Sequence, residues 1–328
     1  MAFPPGGLIG FNLSVTPRSC VDYADRQRPP WVDRSIRFRG EPHDSAPPRL
    51  GATLVLAATV FLCSCDKGSS GGAPPPPADL LRISVPEAMN LNSVRPVGLT
   101  VEPDTGDLFL LDAFLGLYRM RSDDSFEVAI DSFELYGQVQ TASVFTDIAA
   151  MGNSRFALTA RNDGFLLDLP ARTIQQHFCY LPGGLPLPPP PAPGQPGPFP
   201  VEQHTDSVAW DPISRRILAQ PITMSGPTIM SSELGTFPET GGEGNDWHPM
   251  PTQDFLAGAM SVDPDGVIWL GRGNELFQYD LVTDRLTRIR DLRAYDVEEI
   301  SGMAFGPKHL WVLDSANEEI VRIPLDLL

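Results

Sequence analysis

From Leu80 onward, short apolar stretches alternating with polar positions are broken every few residues by an acid-Pro pair, Gly or Asn. One unit recurs: an apolar strand, a tight turn and a second apolar strand. Its clearest copy runs from Gly98 to Asp112 through Glu102-Pro103-Asp104-Thr105-Gly106. Ala259 to Leu270, through Asp263-Pro264-Asp265-Gly266, nearly superimposes on it. Ser207–Pro212 with Arg216–Leu218, then Met303–Asp314, and a degenerate copy at Asp147–Leu158 make five in all. Pro sets φ in such turns and Gly or Asn supplies positive φ, which is the chemistry of antiparallel hairpins. A third strand is predicted after each, at Leu117–Met120, Phe165–Leu169, Thr228–Ser231, Leu276–Asp280 and Ile320–Ile323.

Leu99, Ile148, Val208, Met260 and Met303 hold equivalent places, at intervals of 49, 60, 52 and 43 residues. Sheets of four strands repeating at that spacing predict an all-β propeller over residues 79–328 with five blades; six is the alternative if the 145–205 stretch hides a weak one. The longest interval contains the Pro/Gly-rich segment 181–201, read as an exposed polyproline-like loop. The last repeat ends before a fourth strand, and Leu80–Val85 is expected to supply it, closing the ring and removing a free edge. The repeat resembles those of NHL and YVTN-type propellers. That resemblance implies a fold and no particular chemistry.

Composition changes the picture at the N-terminus. Residues 1–48 are rich in Pro, Arg and Gly, lack periodicity, and read as disordered. Leu50–Leu62 is an uncharged run of 13 residues after Arg49, too short for the roughly 20 that span a bilayer as a helix and suited to a signal-peptide core. Residues 49–64 are therefore read as a leader. Its late position leads us to expect that translation starts nearer Val32 or Leu50. Leu62-Cys63-Ser64-Cys65 resembles the bacterial lipobox, which implies lipidation of Cys65 and cleavage before it. Residues 65–78 then form a Gly/Ser/Pro tether of about 40 Å reach at roughly 3 Å per residue. Asp66 resembles an inner-membrane retention signal, but the rule varies among bacteria, so inner and outer membrane both stay open, with the domain facing periplasm or exterior.

The chain carries a net charge of −17, which argues against a nucleic-acid partner, since such partners need a basic face. Cys179 has no metal-spaced neighbour and reads as a small buried residue. The resemblance to propellers points to the face where inner strands start and the loops between second and third strands emerge. That topology brings Arg95, Asp147, His204, Asp206, Glu298, Glu299 and Ser301 near Asp112, Asn162, Asp163, Asn274, Asp314 and Asn317. Carboxylates and amides converging at a mouth suit a hard cation such as calcium, and Asp147, His204, Asp206, Asn274, Glu298 and Asp314 are the candidate ligands. Propeller lactonases of the senescence-marker type resemble this arrangement, which makes a calcium-dependent hydrolase one reading. Asx residues in tight turns also bond their own backbone, which favours the other: a binding or scaffold module engaging an envelope protein or glycan. Trp247-His248-Pro249-Met250 reads as a loop anchor or as an exposed aromatic contact.

Overall fold

The computed structural model describes residues 80–139, 144–160, 163–179, 201–225, 228–239, 241–244, 246–252 and 254–328. Residues 1–48, the leader, Cys65 with its tether, Asn162 and loop residues 181–200 lie outside them.

Strand β1 (Leu81–Ser84) leads through a one-turn helix, α1 (Val85–Met89), into the first blade, made of β2 (Pro96–Val101), β3 (Leu108–Asp112), β4 (Gly116–Met120) and β5 (Phe126–Asp131). A short helix α2 (Ser132–Gly137) follows. The second blade is β6 (Asp147–Gly152), β7 (Arg155–Ala160), β8 (Asp163–Asp168) and β9 (Thr173–Cys179). In the third, β10 (Val201–Asp211), β11 (Arg216–Ser225) and β12 (Thr228–Pro238) are long. Its insert supplies β13 (Gly242–Glu243), which pairs in parallel with β9 of the second blade. The fourth strand of the third blade is β14 (Asp246–Pro249), so Trp247 and His248 lie in a strand rather than a loop. The fourth blade is β15 (Ala259–Val262), β16 (Ile268–Arg272), β17 (Glu275–Asp280) and β18 (Arg285–Asp291). The fifth is β19 (Ile300–Phe305), β20 (His309–Asp314) and β21 (Glu319–Pro324), completed by β1, which pairs antiparallel with β21 from Leu81↔Arg322 to Ser84↔Glu319. The chain is a five-bladed β-propeller, and the expected closure by the N-terminal strand is present.

Turn chemistry sets each hairpin. At the first, Gly106 sits at φ +76°, the Glu102 amide donates to the Asp107 carbonyl at 2.9 Å and the Gly106 amide to Glu102 at 2.8 Å. At the fourth blade the Asp263 carboxylate accepts from the Asp265 and Val267 amides and from the Trp269 indole, so a single side chain ties the turn to the next strand.

The core is a ring of five apolar clusters, one between each pair of neighbouring blades. Side chains alternate faces along a strand. In β3, Phe109 and Leu111 pack toward the second blade against Phe145, Ile148 and Phe156. Leu108 and Leu110 face the other way, toward Ile83, Leu313 and Ile320 of the fifth. Ile148 and Ala150 against Ala149 and Met151 divide similarly, as do Ile268 and Leu270 against Trp269. Burial on both faces is why β3 is buried throughout instead of at every second residue.

Inner strands approach closely near their starts. A Cβ on Gly98 would lie 2.9 Å from the Ile148 amide nitrogen of the second blade, and one on Gly302 2.9 Å from the Leu99 nitrogen. Glycine is needed there because backbone, which cannot swing aside, occupies the space a methyl group would take.

Closure has a measurable consequence. Deleting residues 79–86 removes buried Ile83 and Val85 and strips the pairing from β21, whereas deleting 66–77 leaves every strand of the ring in place. We expect the first deletion to lower the melting temperature by about 10 °C or more and the second to change it by about 2 °C or less; equal midpoints in calorimetry would refute closure.

Candidate functional site

The acids that the repeat brings to the inner-strand starts are engaged by backbone. Asp112 ends β3, and its carboxylate accepts from the amides of Arg95, Phe114 and Leu115. Asp314 ends β20 in the equivalent place and is fully buried. One oxygen accepts from the Glu299 amide at 3.0 Å and the Ala316 amide at 3.2 Å, and the other from the Glu298 amide at 3.0 Å and the Asn317 side-chain amide at 2.8 Å. Each carboxylate thereby joins the chain entering its inner strand to the loop after its second strand. Amides lacking a strand partner need an acceptor, and a carboxyl group with two oxygens meets several at once.

Asp147 opens β6 and is buried. Its two oxygens accept, at 2.8 Å each, from the Ile148 amide and from the Val208 amide of the next blade, so it is an inter-blade clasp. Burial pushes its carboxyl well above the usual range; the two amide bonds pull it back and the Asp206 carboxylate adds to the rise.

The other candidates are spread around the face. Asp206 is half-buried within β10 and Asn274 is half-buried in the turn before β17, its carbonyl accepting from the Leu292 amide; Glu298 and Glu299 are exposed. The side chain of His204 lies outside the described residues, as do those of Asn162 and Cys179. Among the described residues no three His, Cys, Asp or Glu side chains gather as a metal site would require. Trp247 packs edge-on against Phe237 at 5.7 Å and is partly buried, the anchoring role of the two readings.

A cavity of about 540 Å³ runs along the inner strands to the turns that follow them. Leu99, Ile148, Met260 and Met303 contribute apolar wall, Trp210 and Phe305 aromatic wall, and Pro103, Pro212, Pro264 and Pro307 line the turn end. It falls within the roughly 300–1,000 Å³ of small-molecule sites. Glu102 belongs to this wall and is 1% exposed. In the matching turns, Asp211 and Asp263 fold back on their own backbone. Glu102, one methylene longer, reaches the next blade instead: Oε1 accepts from the Ser154 amide at 3.1 Å, Oε2 is buried, and the Asp104 carboxyl is within hydrogen-bonding reach of the group. Sequence reading passed over Glu102; the available signal was a Glu where two other copies place Asp before Pro.

No protein-family model and no curated protein matches the chain. Among solved structures, a protein of unknown function from Bacteroides thetaiotaomicron is similar at 11% identity and a TM-score of 0.43, over 69% of this chain and 58% of that one. This chain thus spans less than two thirds of that protein's length. A chain of a mitotic checkpoint complex is similar at 11% identity and a TM-score of 0.37, over 83% of this chain and 99% of that one.

Two outcomes test the structural role of these acids. Asp314→Ala removes the acceptor of the Glu298 and Glu299 amides and should cost about 2 kcal/mol in urea unfolding, the scale of hydrogen bonds to a charged group; the loss should be equal with calcium and with EDTA, and a calcium-dependent difference would contradict it. Asp147, whose carboxyl is raised by folding, takes up a proton in the folded state before the unfolded one. Its contribution to stability therefore grows as pH falls through the raised value and levels off below about 3.9, where both states are protonated. Measured against non-titrating Asp147→Asn, the wild-type urea midpoint should rise as the pH is lowered from neutral toward about 4.

Proposed function

We propose that the chain is a lipid-anchored protein of a bacterial cell envelope whose propeller is a binding module. Support for the anchor is in the sequence: a 13-residue apolar run, Leu62-Cys63-Ser64-Cys65, and a Gly/Ser/Pro segment of tether length after it. No helix among the described residues is long and apolar enough to cross a membrane. Attachment is assigned to acyl chains on Cys65. Two or three chains hold where one binds only marginally, at about 0.8 kcal/mol per buried methylene.

The binding half of the proposal rests on one observation. Asp112, Asp147 and Asp314 are committed to backbone amides, while an open, largely apolar pocket runs along the inner strands to their turns. A metal-dependent hydrolase needs acids free to converge on an ion; a binding module needs shaped apolar wall with a few polar groups. The ligand or partner is sought in the envelope, among its proteins and glycans, on either the inner or the outer membrane.

Expression in a Gram-negative host with a palmitate analogue tests the anchor. Wild type and Cys63→Ala should label and sediment with membranes, whereas Cys65→Ser should lose the label. A wild-type chain that never labels, or a label that follows Cys63, would refute the assignment.

A further inference from the structure

Two carboxyl groups join the turn of the first blade to the turn of the second. Asn153 and Ser154 both sit at positive φ, +56° and +55°, and their consecutive amides donate across the seam, Asn153 to Asp104 Oδ2 and Ser154 to Glu102 Oε1. Asp104 is exposed, whereas Glu102 is buried. No amide or hydroxyl among the described residues donates to Glu102 Oε2, and the group within hydrogen-bonding reach of this side chain is the Asp104 carboxyl. Ionised carboxylates only accept, so the contact becomes a hydrogen bond when the pair carries a proton. Without that proton, two like charges meet where one of them has no water.

The surroundings favour keeping the proton. Burial, and after it the Asp104 and Asp107 carboxylates, push the Glu102 carboxyl above the usual range, with the Ser154 amide acting against them. From the second blade, Gly152, Asn153 and Ser154 bring no charge, and Arg155 after them is bonded to Glu239. Arg119 of β4 lies 3.9 Å from Asp107.

We infer that Glu102 and Asp104 share one proton and form a pH-operated latch between the first two blades. With the proton in place the pair carries a single charge, the two carboxyls bond each other and the two amides, and the turns are fixed together. Loss of the proton sets two negative charges side by side, one of them buried, and the seam loosens. Exposed Asp104 gives the proton its route to and from solvent. Glu102, Pro103 and Gly106 of the same turn line the central cavity, so the latch holds one of its walls. The latch is a property of the ring and stands whether or not Cys65 is acylated or the cavity takes a ligand.

The test uses the full-length chain in a non-ionic detergent and hydrogen–deuterium exchange read by mass spectrometry, with rates corrected for the intrinsic effect of pH. In wild type, protection of a peptide spanning residues 152–158 should fall at least fivefold from pH 5 to pH 8, while a peptide spanning 290–296 in the fourth blade should not change. Glu102→Gln keeps an acceptor for the Ser154 amide and supplies a permanent N–H toward Asp104, so its seam should stay protected at both pH values. Urea unfolding gives the same comparison, with the sign set by linkage. A carboxyl raised by folding adds stability as pH falls through the raised value, and the gain is complete below about 4.3, where unfolded Glu is also protonated. The wild-type midpoint should therefore rise relative to Glu102→Gln as pH is lowered from 8 toward about 4; Asp147 is common to both and cancels. Asp104→Asn, a change at an exposed residue, also supplies an N–H and should likewise abolish the pH dependence of the seam, which keeps the idea testable if the Glu102 variant fails to fold. Equal wild-type protection at pH 5 and pH 8, the same fall in both peptides, or a folded variant that loses protection with pH as wild type does would overturn the latch.

Discussion

Burial of strands on both faces is the constraint from which the rest of this structure follows. A sheet that hides both faces must be sandwiched, and each blade is sandwiched between two others. Phe109 and Leu111 go one way from β3, Leu108 and Leu110 the other. Such an arrangement leaves an end blade exposed unless it closes. Closure falls to β1, whose Ile83 enters the cluster between the fifth and first blades. The N-terminal segment is thus joined to the C-terminal repeat although more than 230 residues separate the paired positions Arg82 and Val321.

Packing sheets face to face around an axis brings the inner strands together, and their two ends meet this differently. Near the starts, Gly98 and Gly302 let backbone approach backbone, and the amides of chains entering the ring find acceptors in Asp112, Asp147 and Asp314. Acid at this end is part of the frame. Toward their far ends the strands run into proline turns, and a cavity extends along them, lined by Leu99, Ile148, Met260 and Met303. Glu102 crosses between blades there to the Ser154 amide. Acidic residues therefore work over different reaches at the two ends, Asp147 to the Val208 amide and Glu102 to the Ser154 amide.

What the sequence by itself determined is the local grammar. Turns built on Pro, Gly and Asx residues between alternating strands specify hairpins without help from distant residues, so the repeat, the number of blades and the missing fourth strand were legible. Strand ends were less so: β12 runs on to Pro238, well past the expected Ser231, since its length is set by pairing with β11 and β14. Trp247 read as part of a loop for the same reason. Only the tertiary structure decided which acids are structural. Asp147 and Glu102 each bond an amide in the neighbouring blade, at Val208 and Ser154, and no local pattern announces a partner more than 50 residues away. A carboxylate's role depends on how many donors surround it and how much water reaches it, and both are properties of the closed ring.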